Sequence, residues 1–212
     1  MKRLITDIQK QKSDSSRYSI FLDGVFFGGV SEEIINRFNL ECGKGIDDNE
    51  LEELIYEEEF SRAKDYVYRL LARRMYTKKE IQNKLQSQKY SMRVIQNILS
   101  LMEEYGYLND RLFAEEWIEL RIQKKPKGRI VLKHELMQKG IEESIIEKAL
   151  ESKLDESKLY EKALELARNR VKAYSKDDVL TAKRKLMNFL IRRGFDFETI
   201  RDVIEKVIED DR

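Results

Sequence analysis

Between Tyr105 and Leu150 apolar residues recur every three or four positions in three short runs, and breaker residues separate the runs. Asp110 predicts the start of a first helix, because its carboxylate can accept from the unpaired N–H groups there. Phe113, Ala114, Trp117 and Ile118 form the apolar side of that helix. Pro126 ends it, since the proline ring disfavours helical geometry at Lys125. Gly128 leads into a second helix with Ile130, Val131, Leu132, Leu136 and Met137. Gly140 stops that one, because glycine takes the left-handed conformation after a helix without steric cost. A third helix carries Ile146, Ala149 and Leu150.

The same plan occurs twice more. Shifted back by 51 residues, Leu136, Ile141, Ile146, Ala149 and Leu150 become Leu85, Tyr90, Ile95, Ile98 and Leu99; shifted forward by 54 they become Leu190, Phe195, Ile200, Val203 and Ile204. In each copy an apolar residue (Tyr90, Ile141, Phe195) stands five positions before an isoleucine, the spacing of a hydrophobic staple. The helix-stop position reads Lys89, Gly140 and Gly194, so the first copy lacks its glycine. A repeat of this size buries too little surface alone, and stacking on its neighbours completes the core.

The first repeat begins near Ser61, with Ala63, Tyr66, Val67 and Leu70 as its stripe and Thr77 to Glu80 as a capping box. The third begins near Ser157, with Leu159, Ala163, Leu166, Ala167 and Val171, and Ser175 to Asp177 turn into its second helix. Before the repeats, alternation at Leu4, Ile5, Ile8 and at Tyr18, Ile20, Leu22 predicts two strands, with a turn at Ser13 to Ser16. Asp23-Gly24 is a tight-hairpin signal and Val25 to Phe27 a third strand. Gly28-Gly29 lacks the lysine and Ser/Thr of a phosphate loop and reads as a turn before a short helix capped by Ser31. Gly43 and Gly45 mark a loop, and Asp47 or Asp48 starts an acidic helix with Leu51, Leu54 and Ile55. The expected fold is mainly α: three tandem three-helix repeats in an elongated curved array, behind a small N-terminal β-hairpin or meander unit with short helices. Its boundaries fall at 1–60, 61–104, 105–154 and 155–212.

Charge divides the chain. The net is +1, but residues 1–60 hold 7 Lys and Arg against 14 Asp and Glu, a net of −7, and the remainder carries +8. Residues 121–140 carry +6 and residues 168–193 carry +7. Lys183, Arg184 and Lys185 have no acid closer than Asp178, so these stretches are expected to lack acidic partners and to meet a polyanion or an acidic protein surface. With Arg73 and Arg74, the candidate partner- or DNA-binding residues are Arg121, Lys124, Lys125, Lys127, Arg129, Lys133, Arg168, Arg170, Lys183, Arg184, Lys185, Arg192 and Arg193. Glu57-Glu58-Glu59 reads as a solvated face, or as a contact for the basic body or a partner.

Catalytic signals are missing. His134 is the only histidine and stands where the other repeats have Asn83 and Asn188, a helix-surface position. No metal-ligand cluster and no acid–base pair stands out, so no cofactor and no metal is expected. Cys42, the lone cysteine, reads as a buried or half-buried small side chain. Phe113 and Trp117 read as core rather than as base-stacking platforms. No signal peptide and no run of 18 apolar residues appears, which predicts a cytoplasmic protein with no membrane contact, and the polar surface predicts a monomer.

Three sets of residues resemble the RecX family of RecA regulators. The first is Arg73-Arg74-Met75-Tyr76-Thr77 with Glu80-Ile81 and Leu85. The second is Gly106-Tyr107-Leu108-Asn109-Asp110 with Phe113-Ala114, Arg121, Lys127-Gly128, Leu136 and Lys139-Gly140-Ile141. The third is Lys185-Leu186, Phe189-Leu190 and Arg192-Arg193-Gly194-Phe195. Their order and spacing over residues 60–208 carry the resemblance. It implies a non-enzymatic bacterial regulator that binds the groove of the RecA filament on single-stranded DNA, touching DNA directly or through the filament. Filament extension would be blocked, and ATP hydrolysis and strand exchange lowered. The alternative reading is a stand-alone nucleic-acid-binding helical module such as a transcription regulator, although no helix shows a clear set of base-reading side chains.

Overall fold

The alternating apolar residues at the start of the chain form an antiparallel sheet. In this computed structural model, which describes residues 2–12 and 16–210, β1 (Arg3–Lys10), β2 (Arg17–Leu22), β3 (Val25–Ser31) and β4 (Gly45–Ile46) lie in the order β3-β2-β1-β4. Of the turn expected at Ser13 to Ser16, residues 13–15 fall outside the described residues. Asp23 and Gly24 make the β2–β3 hairpin with φ of 50° and 82°, the positive values such a tight turn requires. Ile5, Ile20, Leu22, Val30 and Ile46 face a core shared with Ile34 of α1 (Glu32–Arg37), Leu40, and Leu51 and Leu54 of α2 (Asp48–Leu71).

Three expectations fail here. Gly28 and Gly29 are strand residues, not a turn: a Cβ on Gly29 would lie 2.5 Å from the Gln11 side chain, which crosses the strand at that point. The loop expected at Gly43 and Gly45 contains the short strand β4, paired to Arg3 and Leu4. Cys42 is exposed, because Leu40 supplies the inward apolar side chain of that segment.

α2 runs unbroken through residues 60 and 61. An Asp47–Glu50 capping box starts it, and no glycine or proline interrupts it before Leu71. The acidic run on this helix is held by partners within the first part of the chain rather than left as a solvated face, and Glu59 contacts the first repeat. Glu57 accepts from Arg37 at 2.6 and 3.2 Å, Glu58 from Arg17 at 2.7 Å and from the Ser31 N–H at 2.9 Å, and Glu59 from the Ser91 hydroxyl at 2.8 Å. Glu58 is only 8% exposed. Arg17 also donates to the Gly29 carbonyl at 2.7 Å, so the Arg17–Glu58 pair occupies main-chain groups of edge strand β3 and blunts it against further pairing.

Eight more helices follow: α3 (Lys78–Ser87), α4 (Met92–Glu104), α5 (Asp110–Lys124), α6 (Arg129–Gln138), α7 (Glu143–Lys153), α8 (Glu156–Val171), α9 (Val179–Arg193) and α10 (Phe197–Asp210). With α2 they make three sets of three. The isoleucines of the repeat, Ile95, Ile146 and Ile200, are at most 1% exposed, and the equivalent leucines Leu85, Leu136 and Leu190 are fully buried. By contacts the chain forms two compact units, residues 1–74 with 83–104, and residues 75–82 with 105–212.

Each second helix ends in the same way. Lys89, Gly140 and Gly194 have φ of 63°, 79° and 82°. Their N–H groups bond the carbonyls three residues back (2.9 Å in each case), and Tyr90, Ile141 and Phe195 bond the carbonyls of Leu85, Leu136 and Leu190 at 3.3, 3.2 and 3.4 Å. This double bond pattern satisfies helix carbonyls that would otherwise lack partners. The first copy makes the same turn without glycine.

Within the second unit these turns do further work, because each docks on the start of the preceding repeat's second helix. The Lys139 carbonyl accepts from the Thr77 hydroxyl at 2.8 Å, and the Arg193 carbonyl accepts from the Gly128 N–H at 2.9 Å. Thr77 and Gly128 are equivalent positions, as are Lys139 and Arg193. A Cβ on Gly140 would fall 2.4 Å from Lys79 Cβ, and one on Gly194 2.5 Å from a Val131 methyl. Glycine is therefore needed twice over at 140 and 194, for conformation and for closeness, whereas the Lys89 turn has no preceding repeat to dock on.

The local signals were displaced in a few places. Asn109, not Asp110, caps α5, accepting from the Leu112 N–H at 2.9 Å; Asp110 instead accepts from the Lys78 N–H at 2.9 Å, beside the Thr77 cap of α3. A 3-10 turn at Lys172–Tyr174 precedes α9, and Asp178 rather than Ser175 to Asp177 caps that helix. Ile130 and Met137 are 62% and 49% exposed, because α6 buries only the narrow side holding Leu132 and Leu136.

The glycine requirement is testable by chemical denaturation. Gly140→Ala should destabilise by about 1–2 kcal/mol through its left-handed backbone alone. Gly128→Ala should cost more, since its Cβ would meet the Gly194 carbonyl oxygen at 2.0 Å and no flexible side chain can move aside. Lys89→Gly should be close to neutral. Equal unfolding midpoints for all three variants would refute the double role of the glycines.

Candidate functional site

The basic residues fall into three groups once the helices place them. Glu135 on α6 gathers the first. It accepts from the Trp117 indole N–H at 3.0 Å, from Arg121 Nε at 2.9 Å and from Lys127 Nζ. The Arg121 guanidinium lies over the Trp117 ring at 4.3 Å, and Lys139 Nζ lies over the same ring at 4.5 Å while pairing with Glu80 at 3.0 Å. Arg129 and Lys133 form the second group with Glu147, both at 2.6 Å, and Lys133 also reaches Glu143.

The third group lies on α8 and α9. Arg193 and Arg170 both stack on Phe189, at 5.2 and 5.4 Å from the ring centre. Arg170 also reaches Tyr174, whose ring lies 5.5 Å from Lys185 Nζ, and Lys185 pairs with Asp177 at 2.7 Å. Arg193 donates to the Pro126 carbonyl at 3.4 Å, next to Lys127 in the chain. The first and third groups are thus joined across the repeat joint. One continuous row runs Lys139, Trp117, Arg121, Glu135, Lys127, Arg193, Phe189, Arg170, Tyr174, Lys185. Glu135 and Lys139 stand in the second repeat where Phe189 and Arg193 stand in the third, so the same side of the second helix is used in both.

The expectation that these stretches lack acidic partners therefore fails for Arg121, Lys127, Arg129, Lys133 and Lys185. Their partners are eight to eighteen positions distant in sequence and become neighbours only through the turns between helices. Nor do Lys183, Arg184 and Lys185 share one face: successive helix residues point about 100° apart, and Ala182 and Leu186 on either side are buried. Among the described residues, the side chains of Arg73, Lys124, Lys125, Lys183, Arg184 and Arg192 are exposed and form no hydrogen bond or ion pair. Arg74 and Arg168 are exposed as well. Arg73 and Arg74 belong to the first compact unit, and every residue of the row to the second.

Sequence reading missed Glu135, Tyr174 and Phe189, and it assigned Trp117 wholly to the core. Trp117 is half-buried: it stacks on buried Phe113 at 6.0 Å and holds cations with the rest of the ring. The overlooked signal was a cation four residues from an aromatic ring, at Trp117–Arg121, Arg170–Tyr174 and Phe189–Arg193. His134 is exposed, as expected.

Electrostatically the row stores fixed charge. Burial alone would raise the Glu135 carboxyl, but hydrogen bonds from Lys127 and Trp117 and the charge of Arg121 outweigh it and hold it below its ordinary range. Glu147 is lowered mainly by hydrogen bonds from Lys133 and then Arg129, and Lys133 is raised by Glu143 and Glu147. Ionised carboxylates locked by cations suit a preorganised binding surface better than proton transfer. Among the described residues no group of His, Cys, Asp or Glu is placed to hold a metal ion, and no helix is long and apolar enough to cross a membrane.

Fold and surface together define a helical-repeat protein that presents a cationic, ring-lined face. Family models match in sequence order: the regulatory protein RecX N-terminal domain at residues 3–47, and the first, second and third RecX three-helix domains at 63–100, 109–150 and 156–204. Regulatory protein RecX of Bacillus subtilis is 30% identical over 210 residues, covering 96% of this chain and 76% of that protein. The Clostridioides difficile protein of the same name is 28% identical over 208 residues, covering 98% and 97%. A crystal structure of regulatory protein RecX superposes with a TM-score of 0.75 over 96% of this chain and 99% of that one at 24% identity. RecX from Lactobacillus salivarius does so with 0.68 over 71% and 97% at 26%. The chain belongs to the RecX family of regulatory proteins.

The Glu135 cluster yields a pH prediction. A carboxyl lowered in the folded state contributes stability that is present above its unfolded-state value of about 4.3 and is lost as pH falls through the lower folded-state value. Glu135→Gln should therefore lower stability by about 1–2 kcal/mol at neutral pH, since it leaves Arg121 and Lys127 uncompensated. The gap to the wild type should close as the pH drops below about 4. Urea unfolding from pH 3 to 7 reads this, and a gap independent of pH would show that Glu135 is not the ionised centre of the row.

Proposed function

We propose that this chain regulates the recombinase RecA. Acting as a cytoplasmic monomer without catalytic chemistry of its own, it binds along the groove of the RecA filament on single-stranded DNA. There it blocks addition of further RecA subunits and lowers ATP hydrolysis and strand exchange. The observation that supports this most is the row of cations and rings continuing from one repeat into the next, on a member of the RecX family. Such a row suits a repeating polyanionic target: DNA phosphates and acidic RecA side chains both attract it, and a rigid two-repeat surface can span adjacent filament subunits. The cations already held by Glu135 and Asp177 set the geometry. The exposed ones beside them, Lys124, Lys125 and Arg192, are free to meet the partner.

Adding the purified protein to RecA on single-stranded DNA should lower ATP hydrolysis in a saturable way. Replacing Lys124, Lys125 and Arg192 together by alanine should weaken that effect and reduce its salt dependence, because each lost phosphate contact removes part of the counterion release. Melting should change by no more than about 0.5 kcal/mol, as is usual for exposed charges. Glu161→Ala serves as the control and should change nothing. Unchanged hydrolysis at saturating wild-type protein would remove the proposal. Sequence-specific duplex binding without RecA would favour a transcription regulator instead.

A further inference from the structure

The first compact unit carries a second cationic feature that the filament reading does not use. A groove of about 660 Å³ opens between α2, the ends of β2 and β3 and the turn after α3. It lies on a portion of the chain whose first 60 residues are strongly acidic, yet its walls hold Arg17, Arg62 and Arg69.

The three arginines are not equivalent. Arg17 is fixed by Glu58 and the Gly29 carbonyl and forms a rigid positive wall. Arg69 donates from Nε to the Asp65 carbonyl at 3.3 Å, which leaves the two terminal nitrogens of its fork uncommitted. Arg62 forms no hydrogen bond or ion pair among the described residues, although Glu58 and Asp65 stand one turn away on the same helix. Arg62, Tyr66 and Arg69 share one stripe of α2, and all three line the groove. Tyr90 lines the same groove, half-buried, at the position where the other repeats have buried Ile141 and Phe195. Tyrosine keeps the apolar body that a staple needs and adds a hydroxyl that isoleucine and phenylalanine lack, on a residue that lines the groove. Burial pushes the Tyr90 hydroxyl up, against the pull of Arg62 and Arg69, so it stays a proton donor.

We propose that this groove binds a small phosphorylated ligand of nucleotide size. Arg62 and Arg69 would receive its phosphate oxygens, Tyr90 would donate a further hydrogen bond, and the Tyr66 and Tyr90 rings would offer faces to a planar base. Guanidinium forks match phosphate geometry, and the volume lies in the range of small-molecule clefts. A long polyanion fits less well, because among the described lining residues only Arg62 and Arg69 have uncommitted guanidinium nitrogens, too few to follow a chain of phosphates.

The test is calorimetric titration of the full chain with ADP, with inorganic phosphate, and with a six-residue oligothymidylate. ADP should bind saturably at one site. Inorganic phosphate should compete weakly with it, and the oligonucleotide should not displace it. Arg62→Gln and Arg69→Gln should each weaken ADP at least tenfold, and Tyr90→Phe severalfold, with melting close to wild type. Lys124→Ala, in the other compact unit, should leave ADP binding intact, so loss of the filament activity and loss of this site are separable. No saturable ADP binding at millimolar concentration would overturn the proposal. So would binding that survives both arginine changes, or oligonucleotide binding that displaces ADP.

Discussion

The helical repeats depend on one joint, in which the left-handed turn closing one repeat's second helix sits on the opening of the second helix before it. Carbonyls of Lys139 and Arg193 find donors at Thr77 and Gly128. The joint brings the negative end of one helix to the positive end of the second helix before it, so bond and dipole act in the same sense. It also sets distances that no side chain can occupy, which is why Gly128 and Gly194 meet almost backbone to backbone. The row of cations and rings follows from the same contact. Arg193 reaches Pro126 only because the turn after α9 is docked there, and through it the groups around Glu135 and Phe189 become one surface.

Much of this architecture was legible in the sequence, because its signals are local. The period of the apolar positions, the glycines at 140 and 194, Pro126, and the Thr77–Glu80 box each act within one or two turns of helix. Buried Ile95, Ile146 and Ile200 bear the repeat out. Lys89 was harder to interpret. It looked like a missing stop, yet the chain makes the same turn there at φ 63°, because only conformation, and not a close neighbour, is demanded at that position.

The surface was less legible, for the opposite reason. Charge balance counted along the chain marked residues 121–140 and 168–193 as strongly basic, but neutralisation occurs across turns. Lys127 finds Glu135 on the next helix, Arg129 finds Glu147 eighteen residues on, and Lys185 finds Asp177 beyond the start of α9. The acidic run misled in the same way: Glu57, Glu58 and Glu59 point to three different cationic or donor groups from β2, α1 and the start of α4. A count of charges gives the sign of a region, whereas the fold decides which charges remain available.

The docked turn also bears on how many repeats such a chain can hold. The contact is heterologous, the tail of one unit on the head of the one before, and nothing in its geometry closes it into a ring or limits it to two occurrences. What stands at the two ends differs from the internal joints. At one, the turn after α3 carries the lysine side chain of Lys89 where a docking turn carries a bare Cα. At the other, the opening of α9 is capped by the Asp178 carboxylate, which accepts from the Thr181 N–H at 3.0 Å, whereas the openings that take a docked turn carry the uncharged Thr77 and Gly128. Adding or removing a whole repeat would therefore leave every other internal joint the same.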